Sequence, residues 1–177
     1  PAICCTGGPM LSGRLDGKQF LQCDVTEFSY GQISKGTASR EAILKAECSA
    51  CPSMGACSSM GTANTMQILA EALGMTLPGA STIPAVFTDK IISCKQIGRR
   101  IVDMVHENLV PSRIITREAI ENAIYMDLAI GGSTNAVLHL LALANELNIE
   151  LSLQDFERLS RTTPCIANVR PSGVYAV

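Results

Sequence analysis

Three cysteines fall within one short stretch, Cys48-Ser49-Ala50-Cys51-Pro52-Ser53-Met54-Gly55-Ala56-Cys57, and no other part of the chain is as dense in reactive side chains. Thiolates bind soft metals and iron–sulfur clusters, and a glycine-bearing loop lets sulfurs converge free of helical constraint. Spacing alone leaves four readings open. Cys48 and Cys51, with two residues between them, are spaced like a redox dithiol. They are equally half of a zinc knuckle, although the sequence has no second Cys-x2-Cys or His pair to complete it. One or more of the thiols is alternatively a cluster ligand whose partners lie elsewhere. The plainest reading makes them small buried hydrophobes. Cys4, Cys5, Cys23, Cys94 and Cys165 are scattered singly and read as packing residues.

A second feature is Gly131-Gly132-Ser133-Thr134, which opens an almost wholly apolar helix. Free N–H groups and the positive end of a helix dipole attract anions, and glycines allow close approach. A substrate carboxylate suits such a place, which makes Ser133, Thr134 and Asn135 candidate substrate-binding residues. The simpler alternative is that Ser133 or Thr134 only caps the helix and the glycines permit tight packing. His139, among leucines and alanines, reads as a core histidine, and His106, on an Arg-rich helix, as solvated surface.

The elements that must position these residues are mostly helical. Residues 1–6 read as a short strand running into Gly7-Gly8-Pro9, followed by a polar loop through Gly17. Short helices are expected over 26–35 and 39–47, the second capped by Ser39 with Glu41 in its first turn. The cysteine loop feeds a helix from about 62 to 73 that Gly74 ends in a left-handed cap. A long amphipathic helix over 88–108 places Ile91, Ile92, Ile97, Ile101, Met104 and Val105 roughly on one face. Thr116 caps a helix to about 129, the Gly-Gly-Ser-Thr helix runs to Leu147 with Asn148 after it, and Ser152 with Asp155 begins a last short helix as a capping box. Residues 166–169 read as a strand before a Pro-Ser-Gly turn. This pattern predicts a helix-rich part of a layered α/β domain with a few parallel strands, residues 1–177 forming a single domain.

Composition narrows the classes further. The chain has 177 residues, 47 % hydrophobic and 17 % charged, with a net charge of −2 and no Trp, so Leu, Ile, Val, Ala and Met must build its core. No basic run or aromatic-interleaved Lys/Arg stripe is present, which argues against a nucleic-acid partner. The longest apolar run, Ala136 to Ala144, is interrupted by His139 and too short for a bilayer, so no membrane partner is expected. With no basic stretch before an apolar one at its start, the chain carries no recognisable signal peptide, and a reducing cytoplasm is the expected setting for its eight cysteines.

The segment from Ala50 through Cys57 to Met66 resembles the cysteine motif of the dihydroxy-acid dehydratase and phosphogluconate dehydratase family. The likeness continues in order: Gly7-Gly8-Pro9-Met10 before it, Glu71-Ala72-Leu73-Gly74-Met75-Thr76-Leu77-Pro78-Gly79 after it, then Gly131-Gly132-Ser133-Thr134-Asn135-Ala136-Val137-Leu138-His139-Leu140. It covers essentially the whole chain.

The resemblance implies a hydro-lyase that converts a 2,3-dihydroxy carboxylic acid to a 2-keto acid. It also implies an iron–sulfur cluster, 2Fe-2S or 4Fe-4S by branch, and a magnesium ion. An iron with an open position acts as a Lewis acid on the C3 hydroxyl, a base removes the C2 proton, and the enol becomes the ketone. The cluster ligand of this motif falls on Cys57. Cys51 matches a cysteine of some branches, and Cys48 has no counterpart. The remaining cluster cysteines, the magnesium ligands of a Cys-Asp-Lys motif and the catalytic serine are absent from this sequence. The chain is therefore expected to be an inactive fragment of the larger N-terminal cluster-binding domain, with no catalytic residue of its own. Ala-Cys-Pro at 50–52 and Thr-Ala-Asn-Thr-Met at 62–66 lean to the dehydratase of branched-chain amino acid biosynthesis. Ser81 to Ala85 and Arg100 to His106 look more like the sugar-acid (aldonate) dehydratases. The family also implies a homodimer or homotetramer. A zinc or redox module on Cys48 and Cys51 is the alternative of a different kind.

Overall fold

A computed structural model describes residues 1–37 and 39–177. The described elements are a hairpin of β1 (Gly13–Leu15) and β2 (Lys18–Phe20), then helices α1 (Gln22–Ser34), α2 (Arg40–Ala50), α3 (Thr62–Ala72), α4 (Thr88–His106), α5 (Pro111–Ile114), α6 (Arg117–Ile130), α7 (Asn135–Glu146) and α8 (Leu153–Ser160). The helix-rich α/β reading holds. The strands expected at either end are not formed; an isolated parallel bridge stands near each, Pro9 with Ala56 and Val169 with Tyr175.

The hairpin lies inside the stretch that the sequence reads as a polar loop. Asp16 and Gly17 both take positive φ, +50° and +80°, the turn geometry that twists two strands into register. Gly13 is required where the hairpin meets α2: a Cβ there would lie 2.1 Å from the Ser49 carbonyl oxygen.

Helix starts follow their capping residues. Ser39 accepts a hydrogen bond from the Ala42 N–H and Thr116 from the Ala119 N–H at 3.2 Å. Asp155 accepts from the N–H and the hydroxyl of Ser152, both at 3.0 Å. Gly74 and Asn148 are left-handed as expected. Gly131 is left-handed too, so it ends α6 rather than opening α7.

The main core gathers α3, α6, α7 and α8 around Leu69, Ile120, Ile124, Leu140 and Leu159, all essentially sealed from solvent. Ala136, Leu140 and Ala144 recur every four residues along α7 and so share one face. The alanines keep the helices close. On α4 the apolar face is only half covered, with Ile97 and Met104 buried but Ile91, Ile92 and Val105 exposed. His139 is exposed rather than in the core, because the buried face of α7 is the one that carries Leu140.

Arg117 joins α6 to α8. It donates to Asp155 at 2.6 Å and to Glu121 at 3.2 Å, and Arg158 reaches the same two carboxylates. The Ser152 N–H, followed by Arg117 and the Ser152 hydroxyl, outweighs burial and holds the Asp155 pKa down to about 2. A depressed carboxyl contributes stability that is fully present above the unfolded value near pH ~4 and lost as pH falls towards 2. Asp155→Asn should therefore flatten the acid limb of a stability–pH curve between those values, read by urea denaturation. In the core, Leu140→Ala should cost about 2–5 kcal/mol in the same assay, from lost burial and the cavity left behind.

Candidate functional site

The cysteine loop, residues 51–61, has little regular structure and is held by its neighbours. On one side the Gly7-Gly8-Pro9-Met10 turn lies against it, with Ala56 N–H donating to the Gly8 carbonyl at 2.9 Å and Met10 N–H to the Ala56 carbonyl at 2.7 Å. Gly55 is needed at this crossing: its φ is +126° and a Cβ would lie 2.5 Å from the Met10 nitrogen. On the other side the C-terminal segment backs the loop, with Met60 N–H on the Arg170 carbonyl at 2.6 Å and Val177 N–H on the Ser58 carbonyl at 2.9 Å. Arg170 is itself paired with Asp24 of α1.

Side chains of α3 complete the frame. Asn64 is buried and its amide donates to the carbonyls of Cys57 and, at 2.8 Å, Ser59. Gln67 donates to the Asn64 carbonyl oxygen at 3.1 Å, and its own oxygen accepts the Gly8 N–H. A continuous relay thus runs from the glycine turn through two helical amides to the backbone of Cys57.

The Cys57 sulfur is half-buried, with the Ser59 hydroxyl 3.8 Å away and the start of α3 beside it; a Cβ on Gly61 would lie 3.7 Å from it. A soft, lightly engaged sulfur at the positive end of a helix suits a thiolate ligand. No group of three or more metal-ligating side chains exists among the described residues, so a metal group held at Cys57 would take its other ligands from elsewhere. Cys48 lies in α2 and Cys51 caps it, both exposed, with no sulfur contact between them among the described residues. The thiols that do meet are Cys5 and Cys94, Sγ to Sγ 3.3 Å, which the sequence reads as unrelated packing residues.

The start of α7 abuts the start of α3. The Thr62 hydroxyl shares a hydrogen bond of 3.0 Å with Ser133 and accepts one of 2.8 Å from the Asn135 amide. Ser133 N–H donates to the Thr65 hydroxyl at 3.0 Å. Ser133 and Asn135 are therefore committed to joining the two helices. Thr134, exposed at the cap position, has no side-chain capping bond. Among the described residues its N–H and hydroxyl have no recorded partner.

Behind this junction Asp127 is buried, with Oδ1 unpartnered among the described residues and occupying the space a Cβ of Gly132 would need, 2.1 Å away. Burial pushes its pKa up to about 6. No sequence signal marks it, since it stands as one polar residue on an otherwise apolar helix face. A cavity of about 780 Å³ lies elsewhere, between the hairpin, α1 and Arg170, and none of the predicted site residues line it.

The thiol of Cys57 thus stands at a helix start, in a loop braced by a glycine turn and set against a second helix start. The family described as dihydroxy-acid/6-phosphogluconate dehydratase, N-terminal, matches residues 1–177. The chain is 45 % identical to dihydroxy-acid dehydratase 2 of Staphylococcus saprophyticus over 177 residues, all of this chain and 31 % of that protein. It is also 45 % identical to the dihydroxy-acid dehydratases of Methanospirillum hungatei and Pyrococcus furiosus, again over all of this chain and 32 % of each relative. The chain belongs to the dihydroxy-acid/6-phosphogluconate dehydratase family, as a part of its N-terminal region. It spans about a third of the length of the curated relatives it matches.

A buried acid with a raised pKa costs stability as pH climbs from the unfolded value near ~4 through about 6, where the unfolded chain ionises first. Asp127→Asn should gain stability relative to the parent at pH 8, with the gain vanishing at pH 4, measured by urea denaturation at both.

Proposed function

We propose that the protein containing this chain dehydrates a 2,3-dihydroxy carboxylic acid to a 2-keto acid, as the dihydroxy-acid dehydratase of branched-chain amino acid biosynthesis. The observation that carries the reading is the Cys57 loop, braced by Gly8, Gln67 and Asn64 and set beside the start of α7. The names of the relatives favour this branch over the aldonate dehydratases.

In this reading Cys57 supplies one thiolate to an iron–sulfur cluster, of 2Fe-2S or 4Fe-4S type, and the other ligands and those of a magnesium ion come from outside this chain. When bound, the cluster would supply an open Lewis-acid position for a hydroxyl leaving group. The work of this chain is to fix and orient. Asn64 and Gln67 hold the backbone at Cys57, so the sulfur keeps its position when ligands exchange. Ser133 and Asn135 hold the start of α7 against α3, and Thr134 offers its N–H and hydroxyl to the substrate carboxylate at the positive end of the helix. No described helix is long and apolar enough to cross a membrane. The reading includes a cytoplasmic enzyme acting as a homodimer or homotetramer.

The test uses the full-length protein. Cys57→Ser should lose most of its bound iron and its turnover of 2,3-dihydroxyisovalerate while keeping its helical circular dichroism, whereas Cys48→Ser and Cys51→Ser should keep both. Thr134→Val should raise KM roughly 10–100-fold with iron content unchanged, the value of one charge-assisted hydrogen bond. Undiminished iron in Cys57→Ser, or turnover on aldonates alone, would overturn the reading.

A further inference from the structure

We propose that Cys5 and Cys94 form a disulfide-forming dithiol, a modification site separate from the Cys57 loop. The two sulfurs lie 3.3 Å apart although 89 residues separate them in the chain, and both residues are exposed. A disulfide holds its sulfurs at about 2.05 Å, so closure asks for about 1 Å of side-chain movement.

The backbone on both sides of the contact is anchored by hydrogen bonds. Lys90, one turn before Cys94 on α4, is buried and donates through Nζ to the Thr6 carbonyl at 3.1 Å and the Ala80 carbonyl at 2.6 Å. Cys4 N–H donates to the Met75 carbonyl at 2.6 Å. Residues 4 and 6 are thus anchored, and the residue between them faces Cys94. The hydrogen bond shared with Cys94, then burial, raises the Cys5 thiol, and the Lys90 ammonium opposes them. In the reduced state the two sulfurs share a hydrogen bond.

The oxidant class is a low-molecular-weight disulfide, with glutathione disulfide as the probe. One cysteine loses its proton and its thiolate attacks a glutathione sulfur, breaking that S–S bond and releasing one glutathione thiolate. The second cysteine, deprotonated in turn, attacks the protein sulfur of the mixed disulfide and expels the second glutathione. The dithiol is oxidised by two electrons, and one glutathione disulfide is reduced to two glutathiones. The product ties α4 covalently to the segment that carries Gly8, and hence to the turn that braces the Cys57 loop.

The experiment treats the full-length protein with glutathione disulfide, alkylates the remaining thiols, digests without reduction and identifies the linked peptides by mass spectrometry. The expected result is a dominant peptide pair joining Cys5 to Cys94, with alkylation lost at both positions together and restored by dithiothreitol. Cys94→Ser should abolish that species and leave Cys5 alkylated or glutathionylated. Cys5 and Cys94 both remaining alkylated, each carrying glutathione without a link, or yielding to a dominant Cys4–Cys94 or Cys48–Cys51 link would overturn it. The readout is a covalent link rather than turnover, so it is independent of the dehydratase reading.

Discussion

Asn64 is a buried side-chain amide, and the cysteine loop depends on it. An amide taken out of water is costly unless its donors and acceptor are satisfied. Here both amide hydrogens go to loop carbonyls, at Cys57 and Ser59, and the oxygen accepts from Gln67. The loop has almost no ladder of its own, so these bonds replace the secondary structure it lacks. Because Gln67 also takes the Gly8 N–H, hydrogen bonds join the glycine turn, α3 and the sulfur-bearing loop. A binding residue on a loop is only as well placed as the rigid elements that hold it.

The same economy sets the second half of the site. Thr62 and Thr65 both stand in the first turn of α3, and both hydroxyls are spent on the start of α7. Their β-branched side chains are stiff at χ1, so two helix starts are locked with little rotamer freedom left to lose. That lock also separates the roles of Ser133, Thr134 and Asn135, which look equivalent in sequence: two build the junction and the middle one faces outward with its donors uncommitted.

Legibility in the sequence followed the range of the interaction. Helix starts at Ser39, Thr116 and Ser152, and left-handed exits at Gly74 and Asn148, depend on residues within one turn of each other and could be read directly. The hairpin over 13–20 was hidden because its arms are three residues each, too short for an alternating pattern, although Asp16-Gly17 carried its turn. The expected strands failed for another reason: residues 1–6 and 166–169 have strand-like composition, but backbone partners rather than composition make a strand. The motif around Cys57 stands out in the sequence. The contacts that give it meaning, from Gly8 to Gln67 and from Thr62 to Ser133, span about sixty to seventy residues and leave no local trace. The Cys5–Cys94 contact is of the same kind, and single cysteines in sequence say nothing of it.

The glycine pair before α7 shows how a structure can redistribute a functional argument. Read as sequence, Gly131 and Gly132 look like room made for an anion. In the fold, Gly131 is the left-handed exit of α6, at φ +61°, and Gly132 gives way to the buried Asp127 carboxyl. Packing accounts for both, so neither glycine is left over as a sign of a ligand. What remains for an anion is the helix end itself and Thr134, whose N–H and hydroxyl are not consumed by the junction. Among the described residues Thr134 alone of the three keeps its donors uncommitted, and Ser133 and Asn135 hold it in place through their bonds to Thr62 and Thr65.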